Sequence, residues 1–182
     1  MNLKAIISIS GQICSGKSYT AKLIQSEFGF PLASFGGYLK YYCEQNNLNS
    51  DRQTLQDTGE ALVQINPKKF LVDVISHFIG KSDIIILEGV RHKSIFDKVL
   101  ELTKSRFAIY IEADLETRFD RYSIRNKNSD EVKTYDQFKI ADSHVVEGEI
   151  ESLKPFCDII IDSTVDYWPN LKDKLENLHL KE

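Results

Sequence analysis

Gly11-Gln12-Ile13-Cys14-Ser15-Gly16-Lys17-Ser18 sets two glycines, a lysine and a hydroxyl at the spacing G-x-x-x-x-G-K-[ST]. Each fixed position has a physical reason. A loop that wraps a polyphosphate turns its backbone N–H groups inward, and a Cβ at Gly11 or Gly16 would obstruct it. A helix starting at the end of the loop adds its dipole and its free N–H donors. In such a loop Lys17 bridges the β- and γ-phosphates and Ser18 ligates Mg²⁺. The expected cradle is Gly11, Gln12, Ile13, Cys14, Ser15, Gly16, Lys17, Ser18 and Tyr19, and its expected ligands are ATP and Mg²⁺. Cys14 stands at a variable position and reads as filler, not as a nucleophile.

Two further groups could act beside this loop. Glu88 ends the apolar run "DIIIL", and an acid at a strand end beside such a loop can hold Mg²⁺ directly or through water. In "DLETRFDRYSIRN", Arg118, Arg121 and Arg125 recur at i, i+3 and i+7, within one wedge of a helix. Asp114 is placed to pair with Arg118, but no acid lies four residues before Arg121 or Arg125. The face therefore carries uncompensated positive charge, suited to phosphate contacts and to charge developing during transfer. Lys17, Arg118, Arg121, Arg125 and Glu88 form the expected catalytic set, with Ser18 and Glu88 as the metal pair. Arg52 and Arg91 are candidates for gripping an acceptor phosphate. Arg91 follows a strand end, where ligands of α/β sheets gather.

These residues need a scaffold that brings strand ends together. "KAIISIS" (4–10), "PLASF" (31–35), "DIIILEG" (83–89), "RFAIYIEA" (106–113) and "CDIIIDS" (157–163) read as strands. Between them, helical patterns span 17–28, about 38–45, 49–64 with Ser50 or Asp51 as N-cap, 67–80, about 93–104, a stretch from Asp114, about 135–152, and "NLKDKLENLHL". Apolar strands alternating with helices predict a parallel sheet covered on both faces.

The 182 residues suit one domain, 1–182, and can bury a sizeable core. The net charge of −4 gives no global basic field toward nucleic acid or membranes. The three cysteines fit no disulfide framework, which points to a reducing cytoplasm. The N-terminal apolar run lacks a cleavage-type site, and no run approaches a membrane span.

The order of the phosphate loop, "ASFGGYLK", "LEGVR" and an arginine-bearing helix resembles the nucleoside-monophosphate kinase branch of P-loop kinases. Adenylate-kinase-like enzymes carry S-T-G-D-x-L-R after the second strand. Here Ser34-Phe35-Gly36-Gly37-Tyr38-Leu39-Lys40 keeps Ser, Gly and Leu, has Gly37 for the acid and Lys40 for the arginine. D-G-x-P-R after the third strand is matched by Glu88-Gly89-Val90-Arg91, one residue shorter and without the proline. The layout is most similar to divergent deoxynucleoside-monophosphate kinase-like proteins, and more distantly to dephospho-coenzyme A kinase-like ones. The resemblance implies an α/β fold, a P-loop NTPase three-layer α/β/α sandwich with a five-stranded parallel sheet in the order 2-3-1-4-5. It also implies an acceptor-binding lobe near 36–80 and a lid near 118–140. The implied acceptor-site residues are Ser34, Lys40, Arg52 and Arg91.

The expected activity is transfer of the γ-phosphoryl group of ATP to a small nucleotide, as a monomer or homodimer. A hydroxyl acceptor usually wants a carboxylate to take its proton, and Gly36 and Gly37 stand where such an acid would be. Hydroxyl-directed transfer remains the main enzymatic alternative, since Glu88 could serve as base; a regulatory ATP-binding module without transfer is the other. "NKNSD" (126–130) fails the guanine signature by one position, and His77, His92, His144 and His179 have no metal-ligand spacing. "TVDYWPN" lacks basic interleaving, so Tyr167 and Trp168 are expected to pack the last helix.

Overall fold

The computed structural model describes residues 3–103, 105–124, 134–143 and 145–178. Five parallel strands, β1 (Ala5–Ser10), β2 (Leu32–Ser34), β3 (Ile84–Glu88), β4 (Arg106–Glu112) and β5 (Ile159–Asp162), form one sheet in the order β2-β3-β1-β4-β5. β1 lies at its centre, with Ala5 opposite Ile84 on one side and Ile9 opposite Ile109 on the other. This is the expected three-layer sandwich, and its cause is visible in the side-chain alternation. Ala5, Ile7, Ile9, Ile84 and Ile86 pack on one face with Ala21, Ile24, Leu171 and Leu175. Ile6, Ile85 and Leu87 pack on the other with Leu71, Val74, Ile75, Phe96 and Val99. Each such aliphatic side chain, fully buried, contributes about 1.5–3 kcal/mol. A strand covered on both faces has no polar register to alternate with, which is why β3 reads as an unbroken apolar run.

Helix starts follow local capping chemistry. α1 (Lys17–Phe28) begins directly after Gly16 and ends at Gly29, whose N–H bonds the Gln25 carbonyl. α2 (Phe35–Gln45) begins three residues earlier than the pattern from Tyr38 suggested. Ser34 ends β2 and its Oγ accepts the Gly37 N–H, so no loop separates strand from helix, and Phe35 packs edge-on against Phe70. Asp51 caps α3 (Arg52–Ile65) and Asn66 caps α4 (Pro67–Phe78), with Pro67 at the first position. α5 (Lys93–Leu102) and α6 (Leu115–Ile124) follow β3 and β4. α9 (Trp168–Asn177) closes the order, and Tyr167 and Trp168 pack against the face that Leu171 and Leu175 bury.

The stretch expected as one helix over 135–152 is two, α7 (Tyr135–Asp142) and α8 (Val145–Ser152). Phe138 and Ala141 of α7 pack with Ile13 and Tyr122, whereas Ile150 of α8 packs on Tyr110. One straight helix does not serve two differently placed apolar surfaces; a break does. Thr134 and Gln137 build a capping box that starts α7. The polar stretch 126–133 and Arg125 lie outside the described residues.

The pairing expected between Asp114 and Arg118 is not made. Asp114 is taken by the head of α6, where it accepts from the Thr117 N–H at 2.7 Å and the Thr117 hydroxyl at 2.8 Å. Arg118 turns instead to α7, where its guanidinium grips both carboxylate oxygens of Asp142, one of them at 3.1 Å. Arg118 is buried, so removing its partner strands a cation away from water. Asp142→Ala is expected to destabilise the protein by about 3 kcal/mol. Urea denaturation checks this, and a midpoint equal to wild type would show that the pair is not the tie between α6 and α7.

Candidate active site

The loop between β1 and α1 is shaped by backbone conformations that side chains rarely adopt. Gly11 has φ 145°, and a Cβ there would meet the Ile111 carbonyl oxygen of β4 at 2.1 Å. Cys14 at φ 59° and Gly16 at φ 106° turn the chain again before the helix. Backbone turns of this hand are a feature of loops whose N–H groups cradle an anion. Ser15 N–H closes the turn onto the Gln12 carbonyl at 3.2 Å. Tyr19, one turn into α1, is exposed.

Lys17 is only 8 % exposed, and its Nζ donates to the Gln12 carbonyl at 2.6 Å. Burial, and secondarily Arg91, pull its ammonium down to about 8, while Glu88 and Glu147 hold it up. Glu88 ends β3 with both oxygens engaged, one by the Ser18 hydroxyl at 3.0 Å and one by the Ser34 hydroxyl at 2.8 Å. The register β1–β3 sets this meeting, since Ile9 lies opposite Glu88. A hydroxyl and a carboxylate side by side at the cradle are hard oxygen donors that fit Mg²⁺, which keeps most of its other positions for water and phosphate. Among the described residues no group of three or more His, Cys, Asp or Glu side chains is placed to hold a metal ion.

A cavity of about 550 Å³ opens from Lys17 and Ser18 toward α2 and α3. It is lined by the polar or charged Lys17, Ser34, Glu88, Arg52 and Arg91 and by the apolar Leu39, Leu55, Phe70 and Ile95. Lys40 also borders it, as an exposed side chain. Arg52 and Arg91 converge on one carboxylate, Glu147, at 3.8 and 3.4 Å. Burial and then the neighbouring Arg91 lower the Arg52 pKa, with Glu147 opposing.

The arginines of α6 part company. Residues three apart on a helix are separated by about 60°, enough to face different neighbours. Arg118 goes to Asp142, as above. Arg121 reaches the phosphate loop, donating to the Ser15 carbonyl at 3.2 Å and to the Ser163 hydroxyl at 2.8 Å. Its other nitrogen donates to the Ser163 carbonyl at 3.0 Å. Lys17, Ser18, Ser34, Glu88, Arg52 and Arg91 are thus gathered at one cavity, Arg121 backs the loop from outside it, and Arg118 is withdrawn.

Glu147 and Ser163 were not singled out in the sequence. Ser163 follows the end of β5, as Glu88 ends β3, and strand ends are where such residues collect. Glu147 lies three residues before the fully buried Ile150, so an acid on the inward stripe of α8 was the readable sign.

Comparisons with known proteins bear on the family and the fold. The UPF0200/UPF0201 protein of Archaeoglobus fulgidus is 23% identical, over 97% of this chain and 55% of its own length. The chain therefore spans about half of that relative. The UPF0200 protein of Methanococcus vannielii is 28% identical over 96% of this chain and 92% of its own. Among solved structures, TT1252 from Thermus thermophilus superposes with a TM-score of 0.63 at 20% identity, covering 97% of this chain and 98% of that one. Shikimate kinase from Aquifex aeolicus superposes with a TM-score of 0.57 at 16% identity, covering 95% of each. At such identities these likenesses establish the fold, a P-loop kinase-like one. Among the described residues no helix is long and apolar enough to cross a membrane. The model of the AAA domain family matches residues 7–151, and the chain belongs to that family.

Proposed function

We propose that the protein is an ATP-dependent phosphotransferase whose acceptor is a small nucleotide, a nucleoside or deoxynucleoside monophosphate. The observation that carries this reading is one cavity with an anion cradle and Lys17 at one end and two convergent arginines, Arg52 and Arg91, on its wall. Gly11 to Tyr19 would hold the donor phosphates, with Mg²⁺ on Ser18 and Glu88. The metal, when bound, neutralises charge on phosphate oxygens. Lys17 leaves the Gln12 carbonyl for the transferring phosphate, and Arg121 and Arg125 meet charge that grows during transfer. Arg118, paired with Asp142, is reassigned from that catalytic group to holding α6 on α7. Ser34 fixes Glu88, and Lys40 borders the acceptor side. The lobe near 36–80 and a lid near 118–140 belong to the same proposal.

An acceptor phosphate is already anionic and needs no base, which suits the absence of an acid at Gly36 and Gly37. A second reading, transfer to a hydroxyl, draws on neighbours named as a sugar kinase, a gluconokinase and shikimate kinases. In that case Glu88 would take the hydroxyl proton. A coupled ADP-release assay over nucleoside monophosphates, nucleosides, dephospho-coenzyme A, shikimate and gluconate separates the two. No turnover with any of them, with ATP bound, would favour a regulatory nucleotide-binding module.

Lys17→Ala is expected to keep the fold and lower transfer by about 10²–10³, the loss typical of one charge-stabilising donor. Circular dichroism and the same assay check it; normal turnover would remove Lys17 from the donor site. The Lys17 ammonium, at about 8 before ligand binds, also sets a pH dependence. Below that value the lysine is already charged. Above it, binding a polyphosphate requires proton uptake, so ATP affinity is expected to fall by up to about tenfold per pH unit above pH 8. Calorimetry in buffers of different ionisation heat measures that uptake, and a flat affinity from pH 7 to pH 10 would contradict it.

The arginines should separate kinetically. Arg91→Ala is expected to raise the acceptor KM more than it lowers kcat, because a ground-state phosphate grip is uniform binding. Arg121→Ala is expected to lower kcat by about 10² with a smaller change in KM. Steady-state kinetics of both variants decide this; wild-type kcat in Arg121→Ala would leave that side chain a purely structural tie between the loop and Ser163.

A further inference from the structure

Glu147 is 1 % exposed and stands among the groups that would receive phosphate. Its Oε2 accepts the Ile13 N–H of the cradle at 2.9 Å. Its Oε1 faces Arg91 Nη1 at 3.4 Å and Arg52 Nη2 at 3.8 Å. These donors come from three separate elements: the loop after β1, the segment after β3 and the first residue of α3. A loop N–H together with two guanidiniums is the donor set that recognises a phosphate, and here a carboxylate of the protein occupies it.

We propose that Glu147 is a specificity-determining residue: a built-in anion that fills the subsite of Arg52, Arg91 and the Ile13 N–H, and that yields only to a phosphate anchored by the rest of its molecule. This rests on the reading that Arg52 and Arg91 receive the acceptor phosphate. A carboxylate carried on α8 competes intramolecularly, at an effective concentration of at least about millimolar. A bare anion has no other contact with which to win that competition. An acceptor whose remaining body packs on Leu39, Leu55, Phe70 and Ile95 does, because those residues line the same cavity. The two arginines, which repel each other, and Lys17, which Arg91 repels, also keep a countercharge while no substrate is bound. Both a phosphate and Glu147 cannot share the subsite as anions, so acceptor entry moves the carboxylate away from the Ile13 N–H. If Glu147 were only a structural counterion, it would stay in place and its loss would weaken every ligand.

Glu147→Gln keeps an oxygen for the Ile13 N–H and removes the charge. The probe is inorganic phosphate, titrated calorimetrically into the nucleotide-free protein against chloride. The variant is expected to bind phosphate about ten- to a hundredfold more tightly than wild type, as removal of one close like charge from a half-buried site allows. Adding Arg91→Ala to the variant should erase the gain, which excludes phosphate held in the cradle alone. Binding no tighter than wild type, or a gain that survives Arg91→Ala, overturns the proposal. If Glu147→Gln fails to fold, the wild-type Ile13 amide resonance decides: it should shift as a nucleoside monophosphate saturates and stay in place with inorganic phosphate at the same concentration, and a resonance unmoved by the bound monophosphate overturns the proposal. None of these readouts uses transfer. A protein that shows the gain without turnover refutes the kinase reading alone, and one that turns over without the gain refutes this assignment alone.

Discussion

A buried ammonium is the constraint around which this molecule is arranged. Burial disfavours the charge on Lys17, which sits where water scarcely reaches. The protein answers with a backbone carbonyl at Gln12 and with carboxylates from two directions, Glu88 from a strand end and Glu147 from a helix. Arg91 works against them. The result is a lysine whose ammonium is pulled down to about 8, well below its ordinary value. Neither carboxylate is idle: Glu88 also holds two hydroxyls and Glu147 also holds two arginines. Local charge balance in the free protein and the proposed recognition of ligand thus draw on the same side chains.

Most of the scaffold was legible because burial leaves a strong periodic trace. The β3 run "IIILE" allows hardly any other reading, and the loop motif between strand and helix fixes where the cradle lies. Helix ends were legible where a cap announces them, as at Asp51 and Gly29, and illegible where the cap is also the last residue of a strand, as at Ser34. The break between α7 and α8 left no such mark, since it follows from where Tyr110 and Tyr122 stand in space.

The site was legible in proportion to how local its chemistry is. Residues within the motif, and Glu88 at a strand end, are set by short-range geometry. The arginines of α6 show the opposite case. Arg118 and Arg121 do share one helix, but about 60° of it separates a side chain bound for Asp142 from one bound for the loop. Partners lying 24 and 106 residues away decided that difference. Glu147 was missed for the same reason: its meaning lies in Ile13, Arg52 and Arg91, none of which is near it in the chain.

The central position of β1 has a kinetic consequence. Its neighbours in the sheet are β3 and β4, whose paired residues lie far along the chain: Ala5 waits for Ile84, and Ile9 for Ile109. Until those strands exist, β1 is an aliphatic ribbon with both edges unpaired, the kind of segment that associates with other chains. The contacts that build the cradle are therefore among those of longest sequence separation, and high contact order slows folding. The form of the phosphate loop thus depends on a distant strand, since β4 supplies the Ile111 carbonyl against which Gly11 packs.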